Sequence, residues 1–130
     1  MCQNVNTLET TLSLEPQYVT GLCEAGASFT FGRVPSGVRL RFSLRLREAD
    51  RALAFGLQRF FGVGGVYPQW QYCVTNRAEL RRIIDHFDHF PLCGKKFERY
   101  SLWKRIYQLN ASPSNWIQTQ ELIAQLGTEL

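Results

Sequence analysis

Several things are scarce in this 130-residue sequence, and each absence removes a class of protein. No apolar run approaches the roughly 18–20 residues that a membrane-spanning helix needs. The first fourteen residues, MCQNVNTLETTLSL, hold neither a basic stretch nor an apolar one, so no secretory signal is expected. The four cysteines, Cys2, Cys23, Cys73 and Cys93, are far apart and form no Cys-x-x-Cys pair. That spacing argues against a zinc site and for free thiols in a reducing, intracellular compartment. Gly62, Gly64 and Gly65 follow a helical pattern and precede a strand, the reverse of a phosphate-cradling loop. Lysine is also rare, with only Lys95, Lys96 and Lys104.

What is present is arginine. Twelve of the fifteen basic residues are Arg, and the formal net charge is +4. Guanidinium suits planar recognition of phosphates and guanine edges better than ammonium does. The composition is otherwise that of a globular chain, 45% hydrophobic and 20% charged. Its length fits one domain over 14–130 behind a loose polar tail over 1–13.

The clearest local signal is a strict alternation from Val38 to Arg47. Val38, Leu40, Phe42, Leu44 and Leu46 share one face; Arg39, Arg41, Ser43, Arg45 and Arg47 share the other. Ala27 to Arg33 alternates as well, and Pro35-Ser36-Gly37 joins the two runs as a hairpin. Residues 27–47 contain five Arg and no acid. Guanidinium groups at a roughly 6.6–7 Å repeat along a strand repel one another unless anions lie over them. Nucleic acid has a phosphate spacing of that order.

Helices frame these strands. Pro16 opens one that Gly26 can end. Residues 48–61 have helical spacing and stop at Gly62. Val66 to Thr75 reads as a strand pair or one bent strand, with Pro68 at the bend. Asn76-Arg-Ala-Glu79 resembles a capping box for a helix that ends before Pro91. Residues 95–110 and 115–126 read as further helices, broken at 111–114. The order predicts an α+β domain with one antiparallel sheet and helices on one face. Within the first helix Gly21 and Ala25 share a face and permit close approach of another backbone. Trp70, Trp103 and Trp116 are expected to fill core. His86 and His89 are expected to be solvated or half-buried rather than metal ligands.

Six segments together resemble the LAGLIDADG homing endonucleases. Val19-Thr-Gly-Leu-Cys-Glu-Ala-Gly-Ala-Ser-Phe29 is similar to the family motif and its Ser-Phe extension. Phe42-Ser-Leu and Phe60-Phe-Gly-Val-Gly-Gly-Val-Tyr67 are similar to its second strand and later turn. Ile83-Ile-Asp-His-Phe-Asp-His-Phe-Pro-Leu92, followed by Lys95-Lys96 and Leu102-Trp-Lys104, is similar to its later helices. The resemblance implies an αββαββα core with a four-stranded antiparallel sheet. It implies a homodimer joined through the motif helices, by Tyr18, Gly21, Leu22 and Ala25. The two sheets would form a saddle in the DNA major groove. Ser28, Thr30, Arg33, Arg39, Arg41, Ser43, Arg45, Arg47, Gln69, Gln71, Cys73 and Thr75 would then face double-stranded DNA.

One departure stands out. The family's metal-binding acid is the eighth motif residue, and here that position is Gly26. Two-metal cleavage needs carboxylate oxygens around Mg²⁺. Glu24 lies two residues earlier, about 200° around the helix. Lys96 matches the family's basic active-site residue, and Leu46 stands where a water-orienting Gln is common. The expectation is a DNA-binding homodimer on a long, pseudo-palindromic site, with lost or impaired cleavage and no cofactor. Two alternatives follow from the resemblance. One is an active Mg²⁺-dependent endonuclease using Glu24 or a partner acid. The other is an intron maturase binding structured intron RNA. Mitochondrial or other organelle encoding is expected, with no membrane partner.

Overall fold

The computed structural model describes residues 14–109, apart from Ser36, and residues 116–126. The expected tail over 1–13, the break at 111–114 and the side chain of Trp116 lie outside the described residues. In chain order the elements are α1 (Pro16–Gly26), β1 (Ala27–Val34), β2 (Gly37–Arg45), α2 (Arg51–Phe61), β3 (Gly65–Tyr67), β4 (Gln71–Val74), α3 (Arg77–His89), α4 (Gly94–Leu109) and α5 (Trp116–Leu126). A 3₁₀ turn over Glu48–Asp50 precedes α2, so the helical spacing expected over 48–61 is divided in two.

The four strands form one antiparallel sheet in the order β1-β2-β4-β3. Alternation decides its faces. Phe29, Phe31, Val38, Leu40, Phe42, Leu44, Tyr72 and Val74 are all buried. They meet Val19 and Cys23 of α1, Leu57 and Phe61 of α2, Leu80, Ile83 and Phe87 of α3, and Tyr100 and Trp103 of α4 in one apolar core. Phe29 lies at its centre, with ring centroids 5.1 Å from Trp103, 5.4 Å from Phe42 and Tyr100, and 5.7 Å from Phe87. These tilted and edge-on contacts favour a single packing arrangement.

Two local devices fix the frame. Gly64 has a φ of +86°, and a Cβ there would sit 2.7 Å from Cys73 O, so only glycine fits where the chain enters β3. Asn76 accepts from the Glu79 N–H at 3.1 Å as the N-cap of α3. Glu79 does not return the favour to Asn76; its carboxylate accepts from Gly64 N–H instead, at 3.3 Å.

The edge strand β1 is also covered. Lys96 Nζ donates to Ala27 O, Arg99 Nε donates to Phe29 O at 3.1 Å, and Trp103 Nε1 donates to Thr30 O at 3.0 Å. One face of α4 thus supplies side-chain donors to carbonyls of an edge that could otherwise pair with another chain.

Candidate nucleic-acid interface

The register assembles the other sheet face. Gly32 pairs with Arg39, Thr30 with Arg41, and Ser28 with Ser43. Ser43 pairs with Cys73 and Arg45 with Gln71; Gly65 pairs with Cys73 and Tyr67 with Gln71. Paired residues point the same way, so Ser28, Thr30, Arg39, Arg41, Ser43, Arg45, Gln71, Cys73 and Tyr67 share one surface. Arg39 and Arg45 are exposed. Among the described residues, no acidic group pairs with Arg39, Arg41 or Arg45.

The arginines differ in posture. Arg41 is half-buried, its Nη2 donates to Cys73 Sγ at 3.2 Å, and its Nε has no partner among the described residues. Its guanidinium therefore reaches across to β4 and is held there. Thr75 lies just past β4, exposed, in a groove of about 360 Å³ with Arg39, Asn76, Arg77 and Tyr107. The Arg77 guanidinium stacks 4.0 Å from the Tyr107 ring centroid. Arg77 adds positive charge beside the sheet that the strand pattern did not reveal. Its position as the first residue after a capping Asn was the available signal.

Three expected face residues are placed elsewhere. Arg47 lies beyond β2, which ends at Arg45; its guanidinium pairs with Asp50 at 3.0 Å. The last bond in the β2–β4 register is Leu46 N–H to Trp70 O, at 3.1 Å; beyond it the partner chain is in the left-handed turn at Gln69 and Trp70, and β2 runs on into the 3₁₀ segment at Glu48. Arg33 has the parity of Phe29 and Phe31, and its guanidinium sits 5.9 Å from the Phe31 ring centroid. It therefore belongs to the helix side of the sheet at the strand's end. Gln69 is in the turn between β3 and β4 with φ +67°, not in a strand. Trp70 is half-buried, stacked edge-on with Phe55 and bonded through Nε1 to Glu48 at 2.7 Å.

The foot of α1 has a distinct chemistry. Gly26 is its last residue and runs directly into β1. The next carbonyl, Ala27 O, accepts from the Lys96 ammonium. Glu24 accepts from the Cys93 N–H and so ties α1 to the start of α4. A Cβ on Gly26 would meet Leu44 Cδ1 at 3.0 Å. Burial pushes the Cys23 thiol up to about 12, against the pull of the Lys96 charge, so Cys23 is a neutral core side chain. Leu46 is buried and apolar, with no group to orient a water. The donors here are a carbonyl already held by an ammonium and a carboxylate already held by an amide. Mg²⁺ is usually bound through one or two carboxylates, and Gly26 offers none, so the motif position itself does not fit the ion. Among the described residues, no group of three His, Cys, Asp or Glu side chains could hold a metal ion.

His86 is buried rather than solvated, with Nε2 3.0 Å from Thr20 Oγ1. His89 is exposed, its Nδ1 2.8 Å from Asp85 O. The opposite side of α1 is open. Tyr18 is 48% exposed, Gly21 and Ala25 are exposed, and Leu22 is half-buried. Among the described residues, a Cβ on Gly21 would meet nothing within 4 Å.

Helix, hairpin, helix, hairpin, helix around one four-stranded sheet is an αββαββα protein. The LAGLIDADG endonuclease family matches residues 19–107, and the chain belongs to that family. A Podospora anserina protein described as an uncharacterized 50.9 kDa protein in ND4 intron 1 is 28% identical over 106 residues, covering 72% of this chain and 24% of the relative. The probable intron-encoded endonuclease Cox1-I1b of Schizosaccharomyces pombe is 27% identical over 101 residues, covering 70% of this chain and 26% of the relative. The chain thus spans about a quarter of the curated relatives it matches. Among solved structures, the meganuclease I-AabMI bound to uncleaved DNA superposes with a TM-score of 0.80 at 25% identity, over 90% of this chain and 46% of that one. The homing endonuclease I-TnaI superposes with a TM-score of 0.79 at 21% identity, over 92% of both chains, which shows the shared fold.

Proposed function

We propose that the protein binds a long, pseudo-palindromic DNA duplex as a homodimer and that its cleavage is lost or impaired. The observation that carries this reading is the open sheet face, where Arg39, Arg41 and Arg45 have no acidic partner among the described residues. Exposed like charges on a scaffold fixed by an apolar core are stabilised when phosphates replace their counterions. The DNA-bound meganuclease I-AabMI supports it, because this chain covers 46% of that one, about half. Two copies joined through the exposed Tyr18–Ala25 side of α1 would supply the second sheet. Gly26 supports the loss of cutting, since a symmetric dimer would lack the motif acid twice. Relatives described as intron-encoded support an origin in an organelle intron.

The test is selection from a randomised duplex library with and without Mg²⁺. Enrichment of a pseudo-palindrome without cutting is expected. Metal-dependent cutting of the enriched duplex would overturn the lost-cleavage part. No enrichment, with tight binding to a structured intron RNA, would move the function to RNA.

A further inference from the structure

Tyr67 is 54% exposed, yet it stands among the polar and basic groups of the open face. It pairs with Gln71, which pairs with Arg45, so one row crosses three strands. The ring does not project freely. It lies back along β3 over Gly65: a Cβ on Gly65 would sit 2.9 Å from Tyr67 Oη, 3.1 Å from Cζ and 3.2 Å from Cε2. Glycine at 65 is what lets the ring lie down, with one face against the strand and the rest open.

The geometry points to Tyr67 as an apolar reader of a pyrimidine C5-methyl group at a fixed position of the bound duplex. This inference rests on the proposed DNA binding by the same face. The chemistry is selective. In the major groove the base edges present donors and acceptors, and the one apolar substituent is the C5-methyl of thymine. The open ring face offers those edges no hydrogen bond, so it leaves polar base atoms unsatisfied and favours the methyl; the phenolic hydroxyl, the one group of the side chain that could bond them, lies back over Gly65. Two bases carry that group, thymine and 5-methylcytosine. Arg45 and Gln71, in the same row, carry the polar groups suited to guanine and adenine.

The experiment starts from a duplex enriched from a randomised library by the full chain. At each pyrimidine position that duplex is resynthesised with thymine, uracil, cytosine or 5-methylcytosine, symmetrically in both halves. At one position, removing the methyl should weaken binding about fourfold per half-site, the effect of one buried methyl group. Tyr67→Ala should abolish that discrimination while still binding duplex. Gly65→Ala, which lifts the ring without removing it, should do the same. Tyr67→Phe should keep it. Loss on thymine to uracil assigns the contact to thymine; gain on cytosine to 5-methylcytosine alone assigns it to the modified base. Equal binding with and without the methyl at every position, or undiminished discrimination by Tyr67→Ala, overturns this inference and leaves DNA binding standing. Failure to enrich any duplex overturns both.

Discussion

The His86 imidazole donates through Nε2 to the Thr20 hydroxyl, 3.0 Å away, and that hydroxyl donates in turn to Phe90 O at 2.8 Å. Since Thr20 has one proton and spends it on a carbonyl, His86 must be the Nε2–H neutral tautomer. Phe60, Phe61, Phe87 and Phe90 surround the ring. Burial, with a smaller push from His89, lowers its pKa to about 4. In the unfolded chain the ordinary histidine value applies, about 6.5. Below that value the unfolded state binds a proton that the folded state refuses. Stability is therefore full above about pH 6.5 and falls toward pH 4, by on the order of 3 kcal/mol in total. Denaturant unfolding at pH 7 and pH 4.5 should show a smaller loss in His86→Gln than in the unmodified protein. An identical loss in both would place the acid sensitivity elsewhere.

Arg39 and Arg45 are exposed and Arg41 is held on Cys73, so the three should behave differently on DNA. Arg39→Ala and Arg45→Ala should each lower the slope of log affinity against log salt by about one unit per lost phosphate contact. Arg33→Ala and Arg47→Ala should leave the slope unchanged, because one lies over Phe31 and the other pairs with Asp50. Binding measured across a salt series checks all four. A slope that drops equally for Arg47→Ala would contradict the assignment of faces.

The exposed side of α1 predicts self-association. Among the described residues, Gly21 has open space beyond its Cα, and Tyr18, Leu22 and Ala25 flank it. Sedimentation at micromolar concentration should give a dimer. Gly21→Leu should give a folded monomer, because the side chain is free in the single chain but overfills a close helix contact. An unmodified protein that sediments as a monomer would remove the homodimer from the proposed function.

The strands were legible because β1 and β2 alternate and have one buried face. The end of β2 was not. Leu46 and Arg47 continue the alternation in sequence past Arg45, the last paired residue, with one in-register bond left, from Leu46 N–H to Trp70 O. Side-chain pattern records burial, and Leu46 is still buried, so the alternation carries on to Arg47 after the partner strand has ended. The β3–β4 hairpin was only half visible, as a strand pair or a bend at Pro68. Its turn uses left-handed Gln69 and Trp70, with φ values of +67° and +54°, in place of the Asn-Gly signal that usually marks such turns. That uncertainty hid Tyr67, whose face depends on the register across the turn. The engagement of Glu24 by the Cys93 amide joins residues far apart in sequence, and no local spacing announces it.

Restoring a carboxylate at Gly26 must satisfy three neighbours at once. Leu44 Cδ1 lies 3.0 Å from the position of a new Cβ, tighter than normal packing, and Leu44 is buried. Lys96 is already bonded to the adjacent Ala27 carbonyl and would attract the new acid toward itself. Glu24 holds the Cys93 N–H through Oε2, so it would have to share that carboxylate with a metal ion. Gly26→Asp alone should therefore give weak Mg²⁺- or Mn²⁺-dependent nicking of the enriched duplex, where the unmodified protein gives none. Adding Leu44→Val removes the crowded methyl at a stability cost of about 1 kcal/mol and should raise the cleavage further. The unmodified protein should bind its duplex at least as tightly as Gly26→Asp in EDTA, because the new acid faces phosphates without a cation between them. Glu24→Gln tests the remaining route to activity. The amide oxygen can still accept from Cys93, so the fold is kept while the charge is lost. Metal-dependent double-strand cleavage by the unmodified protein, abolished by Glu24→Gln, would show that Glu24 leaves Cys93 on DNA and that the nuclease centre survives.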